Sequence, residues 1–236
     1  MTINKTSQKS KIAKSAINRW LRFGTKLNVG FTMIELLAIV AIIGILAGIV
    51  APSWFSFINR RRVNATNDVI WGAIREAQSE AKRTKESYSV FVQNDNDSPK
   101  IEIYKTRQPD GTNVDPEAVD QDSDDDFLEA IDWRLIDLRE QADIRQGQVA
   151  LTTNIGDPNK IAEGAVQNTG TITFDSLGAL VPEPMLGNRA NPTGLIVAVS
   201  ALDSNGEAIN GTERCVKVTT LLGSMVQGRG AECDFE

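Results

Sequence analysis

Three groups of residues have types and spacing that could do chemistry: Glu35, the pair Cys215 and Cys233, and the acidic run "DQDSDDDFLE" from Asp120 to Glu129. In that run Asp120, Asp122 and Asp124 have the alternate spacing of a calcium-binding EF-hand loop. Such a loop needs glycine where Asp125 stands and a bidentate glutamate where Ile131 stands, so this is not an EF-hand. The acidic segment 115–129 reads as a solvated loop, with an ad hoc calcium site as the alternative.

Cys215 and Cys233 are the only cysteines. Outside the cytoplasm they would form a disulfide closing a loop of roughly 18 residues, worth about 3 kcal/mol in the chain-entropy model. Inside it they would stay two thiols. There is no histidine. That removes Ser-His-Asp and Cys-His catalysis, His-ligated zinc and the usual general base near neutral pH. No catalytic constellation, metal cluster or cofactor site stands out, and the chain is expected not to be an enzyme.

Glu35 is unusual for its setting. Phe31 to Ala51 are almost wholly apolar, and Glu35 is the one charge among them. A helix of that length measures about 31 Å, which matches the hydrocarbon thickness of a bilayer. The apolar region of a cleaved secretory signal is shorter, and Pro52 stands where its cut would fall. Residues 1–30 carry seven Lys or Arg and no acid, whereas the other 18 basic residues face all 31 acidic ones, a net of −13. A basic segment before an apolar span keeps that end in the cytoplasm. Gly44 and Gly48 form a G-x-x-x-G match, a spacing that lets membrane helices approach closely.

The stretch "GFTMIELL" (Gly30 to Leu37) resembles the processing site of type IV prepilins and type II secretion pseudopilins. The resemblance implies that a prepilin peptidase cuts between Gly30 and Phe31 and methylates the amine of Phe31. Glu35 then matches the glutamate at the fifth mature position, and Pro52 the proline at position 22. A leader of 30 residues is long for the family. Glu35 would neutralise the new amine, within one helical turn of its own chain or on a neighbouring subunit, since a buried charge must be paired.

Beyond Pro52 the pattern stays helical, with Ile58, Val63, Ile70, Ile74, Ala77 and Ala81 on one side and Asn67, Arg75, Gln78 and Lys82 between them. One helix kinked near Pro52 is expected from Phe31 to Lys85. Arg60-Arg61-Arg62 could hold the outer lipid surface, an acidic neighbour, or only solvent. The period then changes to two. Tyr88–Gln93 and Ile101–Lys105 read as a hairpin; Trp133–Leu138, Thr171–Phe174, Leu195–Ala201 and Cys215–Leu222 read as further strands. Turns are expected at Asp175–Gly178 and Asp203–Gly206.

The expected fold is therefore α+β: a long amino-terminal helix packed on an antiparallel β-sheet head, the pilin fold. Its organisation is a removable leader (1–30), a transmembrane and assembly helix (31–51), the amphipathic half of that helix (52–85) and a β-rich head (86–236) with an acidic insertion (106–130). "ITFDSLGAL" (Ile172 to Leu180) and "RCVKVTTLLGSM" (Arg214 to Met225) resemble the GspH/FimT subgroup of minor pseudopilins and pilins. That resemblance implies a single-pass inner-membrane subunit with its head outside the cytoplasm. Its partners would be the prepilin peptidase, other pilin or pseudopilin subunits, an inner-membrane assembly platform and membrane lipid. A FimT-like role in binding DNA for transformation is the alternative, and the −13 balance argues against nucleic acid.

Overall fold

The computed structural model describes residues 30–95, 98–119, 123–162, 167–181, 186 and 194–235. The chain divides into two compact units, Met1–Ala51 and Pro52–Glu236. The leader up to Val29 lies outside the described residues.

Helix α1 spans Met33–Thr84. In the first unit it starts on a capping residue: the Thr32 hydroxyl accepts from the amide of Glu35 at 3.3 Å, satisfying an amide that the first turn leaves free. From Phe31 to Ile49 every residue is exposed, Phe31 to 72 % and Met33 to 88 %. Among the described residues no single helix is long and apolar enough to cross a membrane. The stretches Met33–Ile49 and Trp54–Thr84 meet that requirement only together, by length and composition. Pro52 falls within the helical run, and its side chain lies outside those described.

In the second unit the three-to-four-residue spacing does what its pattern predicts. Val63, Ile70, Ile74, Ala77 and Ala81 are buried, and Ile58 is half-buried. Asn67 departs from the expected polar face: it is buried, and its side-chain oxygen has no hydrogen-bond partner. The helix stops at Lys85, whose φ of 63° is left-handed while its amide still bonds back to Ala81 at 3.1 Å.

Among the described residues the strands are β1 (Tyr88–Asp95), β2 (Ser98–Lys105), β3 (Arg134–Asp137), β4 (Val149–Thr153), β5 (Thr169–Phe174), β6 (Leu195–Ala201), β7 (Arg214–Val218) and β8 (Met225–Arg229). They form two antiparallel sheets, ordered β3-β2-β1-β5 and β4-β6-β7-β8. The expected hairpin is β1–β2, with Tyr88 opposite Lys105 and Val90 opposite Ile103. Its pairing runs further than expected, to Asp95 opposite Ser98, which shortens the connection. The α+β class with antiparallel sheets and an amino-terminal helix is as the sequence predicts.

Side-chain alternation builds the core. Val90, Val92, Ile101, Ile103 and Ile172 of the first sheet meet Val149, Leu151, Val197, Val199 and Val216 of the second, together with the buried face of α1. Full burial of each such side chain contributes about 1.5–3 kcal/mol. Two buried asparagines on the connection after β4 stitch the sheets at their ends. Asn154 accepts from the Ile196 amide at 2.8 Å and donates to the Gly194 carbonyl at 3.0 Å. Asn159 accepts from the Thr173 amide at 3.0 Å and donates to the carbonyls of Thr173 and Val181 at 2.8 and 2.6 Å. These bonds satisfy backbone groups in and beside β5 and β6, and the Thr173 carbonyl accepts a second bond from the Val181 amide at 3.1 Å.

Candidate functional site

Gly30 and Phe31 are exposed and precede the helix, so the bond between them is accessible and flanked by non-helical backbone. Thr32, Met33, Ile34 and Glu35 follow as the cap and first turn. Glu35 therefore sits at the third helical position, where a carboxylate is favoured by the positive end of the helix dipole. The sequence has the T-x-x-E spacing of a capping box, and of its two bonds the structure forms the one from the Glu35 amide to the Thr32 hydroxyl. A Cβ added at Gly44 or Gly48 would meet nothing within 4 Å, so the small-residue face is open. None of the large apolar side chains between Phe31 and Ile49 is buried. An exposed apolar surface of this size marks a membrane or protein contact.

The two stretches that carry the subgroup resemblance meet in space. The turn Asp175–Gly178 and the turn Thr220–Gly223 lie together: the Leu180 amide donates to the Leu221 carbonyl at 2.9 Å. Gln78 on α1 clamps both, donating from Nε2 to the Gly178 carbonyl at 2.9 Å and the Gly223 carbonyl at 3.1 Å. Gly223 has φ +74°, and a Cβ there would stand 2.7 Å from the Gly178 carbonyl oxygen. Only glycine fits. Asp175 builds the first turn by accepting from the amides of Leu177 and Ala179. Leu177, Leu221 and Leu222 are exposed at this end of the head.

The cysteines are joined as a disulfide, Cys215 to Cys233, with Cα atoms 5.6 Å apart. It fastens the end of the chain over the outer face of the second sheet, where Cys215, Cys233, Ile196, Ala198 and Phe235 pack together.

The acidic insertion is less of a loop than its composition predicts. It contains helix α2 (Asp125–Ala130), and its Val114 and Val119, with Ile131 just after it, are buried against Phe91 and Tyr104 on the outer face of the first sheet. Under this cover lies Glu102. Burial pushes its carboxyl pKa up, while a long hydrogen bond from Trp133 Nε1 (3.5 Å) and nearby Lys100 act the other way. Asp120 and Asp122 of the calcium alternative lie outside the described residues. Among those described, no three acidic or cysteine side chains converge on a metal position.

No family model matches the chain, and no curated protein or solved structure matches it either.

Proposed function

We propose that this chain is a minor pilin or pseudopilin subunit of the GspH/FimT kind, which joins or primes an inner-membrane-based filament of a type II secretion system or type IV pilus. One observation carries the reading: an accessible Gly30–Phe31 bond leads directly into a capped helix whose first, apolar stretch is exposed to Ile49 and has Glu35 as its one charge. A head in which the second half of α1 packs on antiparallel strands supports it as the pilin fold.

In this reading a prepilin peptidase cuts after Gly30 on the cytoplasmic side. Cleavage leaves a cationic amine on Phe31, four residues before a carboxylate. The amine and Glu35 neutralise each other, within the chain or across to the next subunit, and in the second case the pair sets the stagger of entering helices. The open Gly44 and Gly48 face receives a neighbouring helix. The chain works by assembly and contact and performs no catalysis of its own, and it needs no cofactor. Its head lies outside the cytoplasm, where the Cys215–Cys233 disulfide persists.

Co-expression with a prepilin peptidase tests the reading. The wild-type chain should shorten by its leader, residues 1–30, and a Gly30→Leu variant should not. A chain that keeps its length beside an active peptidase contradicts the proposal.

A further inference from the structure

The segment just past the apolar run has a free face of distinct chemistry. Trp54, Phe57 and Arg61 recur at three- and four-residue steps and so form one stripe on α1. The rings of Trp54 and Phe57 are 6.1 Å apart, and both side chains are more than half exposed. Val63 lies nine residues beyond Trp54, half a turn round the helix, and Ile70 and Ile74 share its side. From Trp54 to Arg61 the aromatic and arginine stripe is therefore exposed, and it meets the head only further along, at half-buried Ala65 and at Asp68.

Its charge is one-sided. The sequence contains no Asp or Glu from Leu36 to Asn67. Among the described residues, Arg60 and Arg61 are exposed and have no carboxylate at ion-pair distance. Arg62 differs: it is half-buried and donates to Asn59 Oδ1. Asp68, the next acid on the stripe, lies about two turns further along and accepts from Gln227. Along the helix Trp54, Phe55 and Phe57 lie about 3–8 Å beyond Pro52, and Arg60 and Arg61 about 12–14 Å. Helical side chains lean toward the amino terminus, so both guanidinium groups reach back toward the aromatic level.

We propose that Trp54, Phe57, Arg60 and Arg61 form an interfacial collar that selects anionic lipid headgroups at the outer surface of the membrane. The inference rests on the membrane reading above and adds a lipid class to it. Aromatic rings at headgroup depth favour a bilayer as the occupant over an acidic protein face, and the two guanidinium groups supply the preference for phosphate-bearing anionic lipid.

The test uses the full chain at low protein density in vesicles of phosphatidylcholine and phosphatidylglycerol, with one or the other lipid brominated. Flotation reports insertion. Quenching of Trp54, taken as the difference between wild type and Trp54→Phe, reports which lipid collects there. Brominated phosphatidylglycerol should quench at least about twofold more than brominated phosphatidylcholine, since a basic residue near an anionic surface is held by more than the thermal energy. Arg60→Gln with Arg61→Gln should remove that difference and leave flotation unchanged. Equal quenching in a wild-type chain that floats overturns the inference. So does a preference that survives the double substitution, or arginine-dependent dimers at high density with no lipid preference, which would assign the arginines to an acidic face of a second copy. A chain that does not float overturns the membrane reading itself.

Discussion

The hydroxyl of Thr32 accepts a hydrogen bond from the amide of Glu35 at 3.3 Å, which fixes the start of α1 two residues after the Gly30–Phe31 bond. The cap ties the backbone of Glu35 and leaves its carboxylate available. Capping and charge can therefore be separated by substitution.

Glu35→Gln keeps the backbone bond and removes only the charge. On the proposed function the variant should insert into membranes as well as wild type but enter filaments at about a tenth of the level or less, because leaving a buried charge without its partner costs roughly 3–5 kcal/mol. Thr32→Ala loses the cap, worth about 1 kcal/mol, and should assemble far better than Glu35→Gln. Filament fractions compared with membrane fractions check this; equal incorporation of Glu35→Gln and wild type would remove the assigned role.

Asn159 is fully buried at a φ of 59° and makes three side-chain hydrogen bonds to β5 and Val181. Asn159→Ala strands the Thr173 amide and the Val181 carbonyl, while the Thr173 carbonyl keeps its bond from the Val181 amide, and should destabilise the head by roughly 2–4 kcal/mol. At about 2–4 °C per kcal/mol for a domain of this size, thermal unfolding should show a fall of several degrees. An unchanged Tm would mean that the connection after β4 does not join the sheets as described.

Removing the disulfide with Cys215→Ala and Cys233→Ala should lower stability by about 3 kcal/mol, the worth of closing a loop of that length. Reductant should shift the wild-type melting curve by a similar amount and leave the double variant unmoved. The loosened part should be the end of the chain around Phe235, read by amide exchange, because its anchor on the second sheet is gone.

Glu102 gives the head a pH dependence of known sign. Its folded pKa is raised by burial, so the native state holds the proton more tightly than the unfolded chain does. Stability then falls as pH rises from the ordinary carboxylate range through the folded value. Glu102→Gln keeps an acceptor for Trp133 and removes the buried charge. It should raise Tm at about pH 7, with the gain shrinking through the ordinary carboxylate range to zero below about pH 3, where the carboxyl is protonated in both states. A gain that persists unchanged in acid would assign it to something other than ionisation.

The legible parts of the fold are those with a strong period. Val63, Ile70, Ile74, Ala77 and Ala81 repeat over several turns, and β6 has the bounds its apolar run predicts. β4 is not among the expected strands, because Val149 and Leu151 give only two alternations in a short polar context. Nor is β8: it is an edge strand with most of its side chains exposed, so burial leaves no period in it. The strand expected over Cys215–Leu222 ends sooner, at Val218, since the later apolar residues Leu221 and Leu222 belong to a turn and are exposed. In and just after the acidic insertion the charge density hides Val114, Val119 and Ile131, which are spaced too irregularly to signal the face they cover. At the candidate site Gly30, Phe31, Glu35 and the cysteines are legible from type and spacing alone. The Gln78 clamp is not, because its partners lie 100 and 145 residues away.

The most direct measurement is the mass and sequence of the amino terminus of the mature chain, purified from cells that contain a prepilin peptidase. The account predicts a chain beginning at N-methylated Phe31. An intact Met1 terminus, or a cut on the far side of the apolar run near Ala51, would contradict it.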